Sequence, residues 1–151
     1  VRQLLSVRPE LTLEGKRPTP GLLAARISGF WLSDEVALYI GKTTDPLRKR
    51  ISAYYCTRIG ARSPHAGGRF LRLLSNLDEL YVHYAEAPDP KRAESLMLGA
   101  FQQHVSRIGR ASYYDQDLLI PFANMKWEYE IGSVWREKRR QHGIKGDTAR
   151  V

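Results

Sequence analysis

The chain has 151 residues, 42% hydrophobic and 26% charged, which gives room for one compact domain and little more. Lysines and arginines outnumber acids 24 to 16, a formal charge of +8 that points to an anionic partner. One cysteine, Cys56, and four scattered histidines exclude a disulfide scaffold and a zinc cluster, and no apolar run approaches the ~20 residues of a transmembrane helix, so the expectation is a soluble, cytoplasmic protein without a membrane partner.

Residues 1–20 contain Pro9, Gly15, Pro18 and Pro20 with no sustained hydrophobic period and are expected to form an N-terminal arm. Two strand-like runs follow, 21–27 and 36–40, with Ser33, Asp34 and Glu35 as the turn of a predicted β-hairpin. Asp45 is expected to cap a helix that has Pro46 at its first position and Leu47, Ile51, Tyr54 and Tyr55 at helical spacing. The excess charge collects here. Lys42, Arg48, Lys49, Arg50, Arg58, Arg62, Arg69 and Arg72 face a single acid, Asp45, and such a stretch suits a phosphate backbone. The bland reading of the same residues is a solvated helix face.

Gly67-Gly68 breaks the chain before a second short helix around Phe70, Leu71, Leu73 and Leu74, and residues 80–86 read as a strand. Asp89-Pro90 repeats the cap-and-proline device. Ala93, Leu96, Met97, Ala100, Phe101, His104, Val105 and Ile108 then predict a long amphipathic helix ending near Gly109. Residues 112–124 read as loop, and 127–142 as a final helix or an extended basic tail. This order describes an α+β domain over 21–124 with a basic C-terminal extension over 125–151.

Tyr39-Ile40-Gly41-Lys42-Thr43, with Arg50 and Tyr54 one turn apart on the following helix, resembles the GIY-YIG nuclease family. Further matches come in order: Ser63-Pro64-His65-Ala66-Gly67-Gly68 resembles the family's His and Gly-Gly segment, Glu94 its metal-binding glutamate, and Pro121-Phe122-Ala123-Asn124 its closing asparagine motif. The resemblance implies a small three-stranded antiparallel sheet flanked by helices and a Mg²⁺-dependent endonuclease acting on DNA, with Mn²⁺ as a substitute. The family's first-strand tyrosine has no counterpart, because Gly21-Leu22-Leu23 offers leucine and Gly29-Phe30-Trp31 offers tryptophan.

The residue types suit that chemistry. Glu94 offers a hard oxygen for one Mg²⁺, and Arg50 a planar, permanently charged fork for phosphate. Arg50 and Tyr54 share one helix face. Tyr39 is placed to hold or activate water, His65 to contact phosphate or relay a proton, and Asn124 to close the site. Lys42, Arg48, Lys49, Arg58, Arg62, Arg69 and Arg72 are the expected DNA contacts. A nucleic-acid-binding module with little or no cleavage is the alternative, motivated by the missing tyrosine.

Overall fold

Thr19, Asp89 and Ser106 start helices for one reason: each side-chain oxygen accepts an N–H that the first turn leaves without an internal partner. The computed structural model describes residues 1–63 and 67–149. It runs α1 (Arg2–Val7), β1 (Thr12–Leu13), α2 (Pro20–Ser28), α3 (Leu47–Cys56), 3₁₀ turns at Leu71–Leu73 and Leu77–Glu79, α4 (Pro90–His104), α5 (Arg107–Ser112), β2 (Lys126–Ile131), β3 (Val134–Arg139) and β4 (Ile144–Lys145). The fold is mixed α/β, with five helices and two antiparallel two-stranded sheets, β1–β4 and β2–β3, among the described residues. No helix among them is long and apolar enough to cross a membrane.

The expected three-stranded sheet is not the observed architecture. Residues 21–27 lie in α2, where Thr19 caps Leu22 N–H, Pro20 takes the first turn, and Leu23 and Ile27, four apart, are both buried. Residues 36–40 and 80–86 join no strand pair among the described residues. Over 38–40 the backbone instead bonds to the turn at 121–124, with Ala123 N–H donating to Leu38 C=O at 2.9 Å. Residues 80–86 leave Tyr81 and Tyr84 exposed.

Residues 127–142, expected as a helix or a tail, contain most of the β2–β3 hairpin, which turns at Gly132-Ser133. Asp45 does not cap α3: Pro46 stands at that position, and the Asp45 carboxylate accepts from Lys49 Nζ at 3.0 Å instead. The cap expected at Asp89 is present, its Oδ1 accepting from Arg92 N–H at 3.0 Å.

One core cluster gathers Leu4 and Leu11 from the N-terminal residues with Leu23, Phe30, Phe70, Phe101, Tyr113, Phe122 and Ile144. Residues 1–20 thus supply core side chains. Arg140 is buried as well, and its guanidinium donates to the carbonyls of Ile120, Pro121 and Phe122 and to the Tyr113 hydroxyl. That grip fixes the run leading into Asn124. The hairpin is anchored to α4 by Trp127, whose indole N–H donates to Ser95 C=O at 3.0 Å.

Candidate active site

Tyr39 folds back over its own chain. A Cβ on Gly41 would stand 2.7 Å from Tyr39 Cε1, so the ring fits only above a glycine. Gly68, at φ +64°, approaches the same ring, with its Cβ position 3.4 Å from Tyr39 Cδ2. The Gly68 carbonyl accepts from the Tyr54 hydroxyl at 2.9 Å, so both tyrosines meet at one glycine. Buried Arg72 lies 5.1 Å from the Tyr54 ring centroid.

Asn124 holds the strand-like segment that carries Tyr39. Its Oδ1 accepts from Ile40 N–H at 2.9 Å and its Nδ2 donates to Ile40 C=O at 2.7 Å. Both ends of the buried amide are spent on the backbone next to Tyr39, which makes Asn124 a positioning residue.

Beyond Gly41 the chain presents Lys42. Its ammonium donates to Glu94 Oε2 at 2.5 Å and to Glu128 Oε2 at 3.1 Å, partners 52 and 86 residues away. Lys126 Nζ donates to the other Glu128 oxygen at 2.8 Å and to Glu137 at 2.7 Å. Burial opposes the charge on Lys42, but the bonds and charges of Glu94 and Glu128 outweigh it and hold the proton more tightly than usual. The bond from Lys126, against burial and with help from Lys42, holds the Glu128 carboxyl down to about 2.

Tyr39 feels this cluster directly. Burial pushes its phenol above the ordinary value, the Arg50 guanidinium draws it back, and Glu94 and Lys42 act in opposite senses. The Tyr54 phenol is also raised, chiefly by burial. Tyr39, Lys42, Arg50 and Glu94 therefore lie within electrostatic reach of one point, and Tyr54 joins them through Gly68.

His65 lies outside the described residues. Among the expected DNA contacts, Arg48, Lys49, Arg58 and Arg62 are exposed. Arg69 pairs with the buried Asp147, Arg72 is buried behind Tyr54, and Lys42 belongs to the central cluster, so these three are turned toward the protein. The candidates for the missing tyrosine sit elsewhere: Leu23 is buried in the core on α2, and Trp31 packs edge-on against Phe122.

Sequence reading overlooked Glu128. The signal was the alternation of Lys126, Glu128 and Glu130 with Trp127, Tyr129 and Ile131 ahead of a Gly-Ser turn, a hairpin pattern that puts Glu128 on a defined face. Around Tyr39 the fold thus gathers Lys42, Arg50, Glu94 and Glu128, and among the described residues no group of three or more His, Cys, Asp or Glu side chains is placed to hold a metal ion. Comparison with protein-family models, with curated proteins and with solved structures finds no match to this chain.

Proposed function

We propose that this chain is a metal-dependent endonuclease that hydrolyses DNA phosphodiester bonds at a single-metal site of the GIY-YIG type. The observation that carries the reading is the convergence of Tyr39, Lys42, Arg50 and Glu94, drawn from three separate segments, beside an exposed basic helix face. A cluster that joins a guanidinium, an ammonium and a carboxylate around a phenol is costly to assemble for stability alone.

Glu94 would be the protein ligand of the divalent ion, with water filling the other positions. Glu94 offers a hard oxygen, its side chain is 17% exposed, and it already attracts one cation, the Lys42 ammonium. Bound Mg²⁺, or Mn²⁺ in its place, supplies charge to the phosphoryl oxygens and acidifies water.

The chain's own groups do the rest. Arg50 grips a phosphate with its planar fork and sets the scissile bond relative to Tyr39. Lys42 keeps its proton and adds a second fixed charge where negative charge develops. Because burial raises its phenol, Tyr39 stays protonated at neutral pH and orients the attacking water by hydrogen bonding, without first becoming a phenolate. Asn124 keeps that tyrosine in register. Arg48, Lys49, Arg58 and Arg62 draw the duplex in by releasing its counterions.

One observation favours a second reading, a DNA-binding module that cleaves poorly: Lys42 occupies an oxygen of Glu94 at 2.5 Å. Supercoiled plasmid incubated with wild type, Glu94→Ala and Arg50→Ala in Mg²⁺, Mn²⁺ or EDTA separates the two. Metal-dependent nicking by wild type that both variants lose is the expected result. DNA binding without nicking in any metal would favour the module.

A further inference from the structure

Lys42 and a divalent cation compete for the same carboxylate. The ammonium lies 2.5 Å from Glu94 Oε2, and Mg²⁺ or Mn²⁺ binds a carboxylate oxygen at about 2.1 Å, so both on Glu94 would stand a few ångströms apart and repel strongly. Removing Lys42 altogether would strip the site of a charge suited to phosphate. A second seat for the ammonium resolves the conflict.

Glu128 is built as that seat. Its Oε2 accepts from Lys42 at 3.1 Å while its Oε1 is held by Lys126 at 2.8 Å, and Lys126 is itself pinned by Glu137 at 2.7 Å. Glu128 stands opposite Glu137 in the β2–β3 ladder, so strand pairing fixes its backbone and Lys126 fixes its carboxylate. Lys42, Glu94 and Glu128 side chains are 30%, 17% and 24% exposed, partly shielded from water, so a fixed carboxylate partner favours the ammonium over the water that remains.

We infer that Glu128 is a positioning residue: it receives the Lys42 ammonium when a divalent cation takes Glu94, so that metal and lysine occupy the site together. The inference rests on the nuclease reading of Glu94. Without Glu128, Lys42 keeps Glu94 as its sole carboxylate partner in this cluster, and metal binding must break that pair.

The test is a double-mutant cycle on Mn²⁺ affinity, read from the free-ion signal in electron paramagnetic resonance, with the full chain as wild type, Glu128→Gln, Lys42→Met and the double variant. Glu128→Gln is expected to weaken Mn²⁺ binding about tenfold. Lys42→Met is expected to tighten it, and Glu128→Gln added to Lys42→Met to change it by less than about twofold. Normal Mn²⁺ binding by the double variant also shows that the hairpin tolerates glutamine, since Lys126 retains Glu137.

Equal weakening by Glu128→Gln in both backgrounds would overturn the inference, because Glu128 would then act as a ligand or as background charge. No weakening in either background would overturn it too. Failure of the nuclease reading looks different: wild type would show no Mn²⁺ site that Glu94→Gln removes, and no nicking.

Discussion

At position 124 one amide side chain substitutes for a neighbouring strand. Asn124 satisfies both Ile40 N–H and Ile40 C=O, and the amide is buried. Asn124→Ala leaves both backbone groups seeking partners and is expected to cost about 1–3 kcal/mol in urea unfolding, with a larger loss of nicking than of DNA binding. Asn124→Asp keeps the acceptor toward Ile40 N–H but turns an anionic oxygen on Ile40 C=O. Burial without a donor raises that carboxyl in the folded state, so part of the lost stability should return as pH is lowered and the acid regains a proton to donate. Unfolding midpoints at pH 7 and pH 5 check the sign. Asn124 and Tyr39-Ile40-Gly41 stood out in the sequence only as motifs of a resemblance, and the bonds of Asn124 to Ile40 and the ring lying over Gly41 are set by the fold. The link from Lys42 to Glu128 was not legible, because 86 residues separate them and only the folded hairpin sets their spacing.

Among the elements, the helices with explicit start signals and a clear apolar stripe were the readable ones. Asp89-Pro90 and the stripe behind it marked the start of α4, but the helix stops at His104 rather than near Gly109, because Ser106 caps a separate α5 over Arg107–Ser112. α2 carried an equally good signal in Thr19-Pro20, but the apolar run of Leu22, Leu23, Ala24 and Ala25 has no polar interruption, and short apolar runs do not distinguish strand from helix. Thr19→Ala removes the oxygen that accepts from Leu22 N–H and is expected to lower stability by about 1 kcal/mol, seen as a shift of the denaturation midpoint without a change in slope. The β2–β3 hairpin was hidden by its charge. Its Lys, Glu and Arg residues suggested a solvated helix or tail, yet the register places Trp127 opposite Lys138 and Tyr129 opposite Arg136 on one face, with Lys126, Glu128, Glu137 and Arg139 on the other. The second face neutralises itself through Lys126–Glu128, Lys126–Glu137 and Arg139–Glu137 pairs, so its glutamates do not make the hairpin acidic.

For the whole molecule the excess charge divides into two classes. Arg48, Lys49, Arg58 and Arg62 are exposed, and replacing any one with alanine should reduce the slope of log binding constant against log salt by about 0.9 if it contacts a duplex phosphate, with little change in stability. Arg69→Ala belongs to the other class: it abandons the buried Asp147 and should lower the unfolding midpoint more than it changes the salt slope. Salt titrations and melts on the five variants distinguish the classes. The acid limit of the fold is set in part by His142, whose imidazole is held down to about 4, first by burial and then by Arg69, and whose Nδ1 accepts from Ile144 N–H. The folded state therefore takes up this proton later than the unfolded chain. Its stabilising contribution is full above the ordinary histidine value and is lost as pH falls toward 4. Melting temperatures of wild type should decline through that window, and those of His142→Asn should decline less.

The pairing of β1 with β4 also orders events in time. Leu13 finds Ile144 only after residues from every other element have been made, and Leu4 and Leu11 share a core cluster with Ile144. At roughly 5–20 residues per second, a nascent chain carries Leu4, Leu11 and Leu13 without Ile144 for on the order of ten seconds. Helices α3 and α4 form from neighbours in sequence and need no such wait, whereas closing the loop between residues 13 and 144 is entropically slow. Capture of β1 by β4 is therefore expected among the last steps of folding, with Leu4 and Leu11 short of their core partner until it happens.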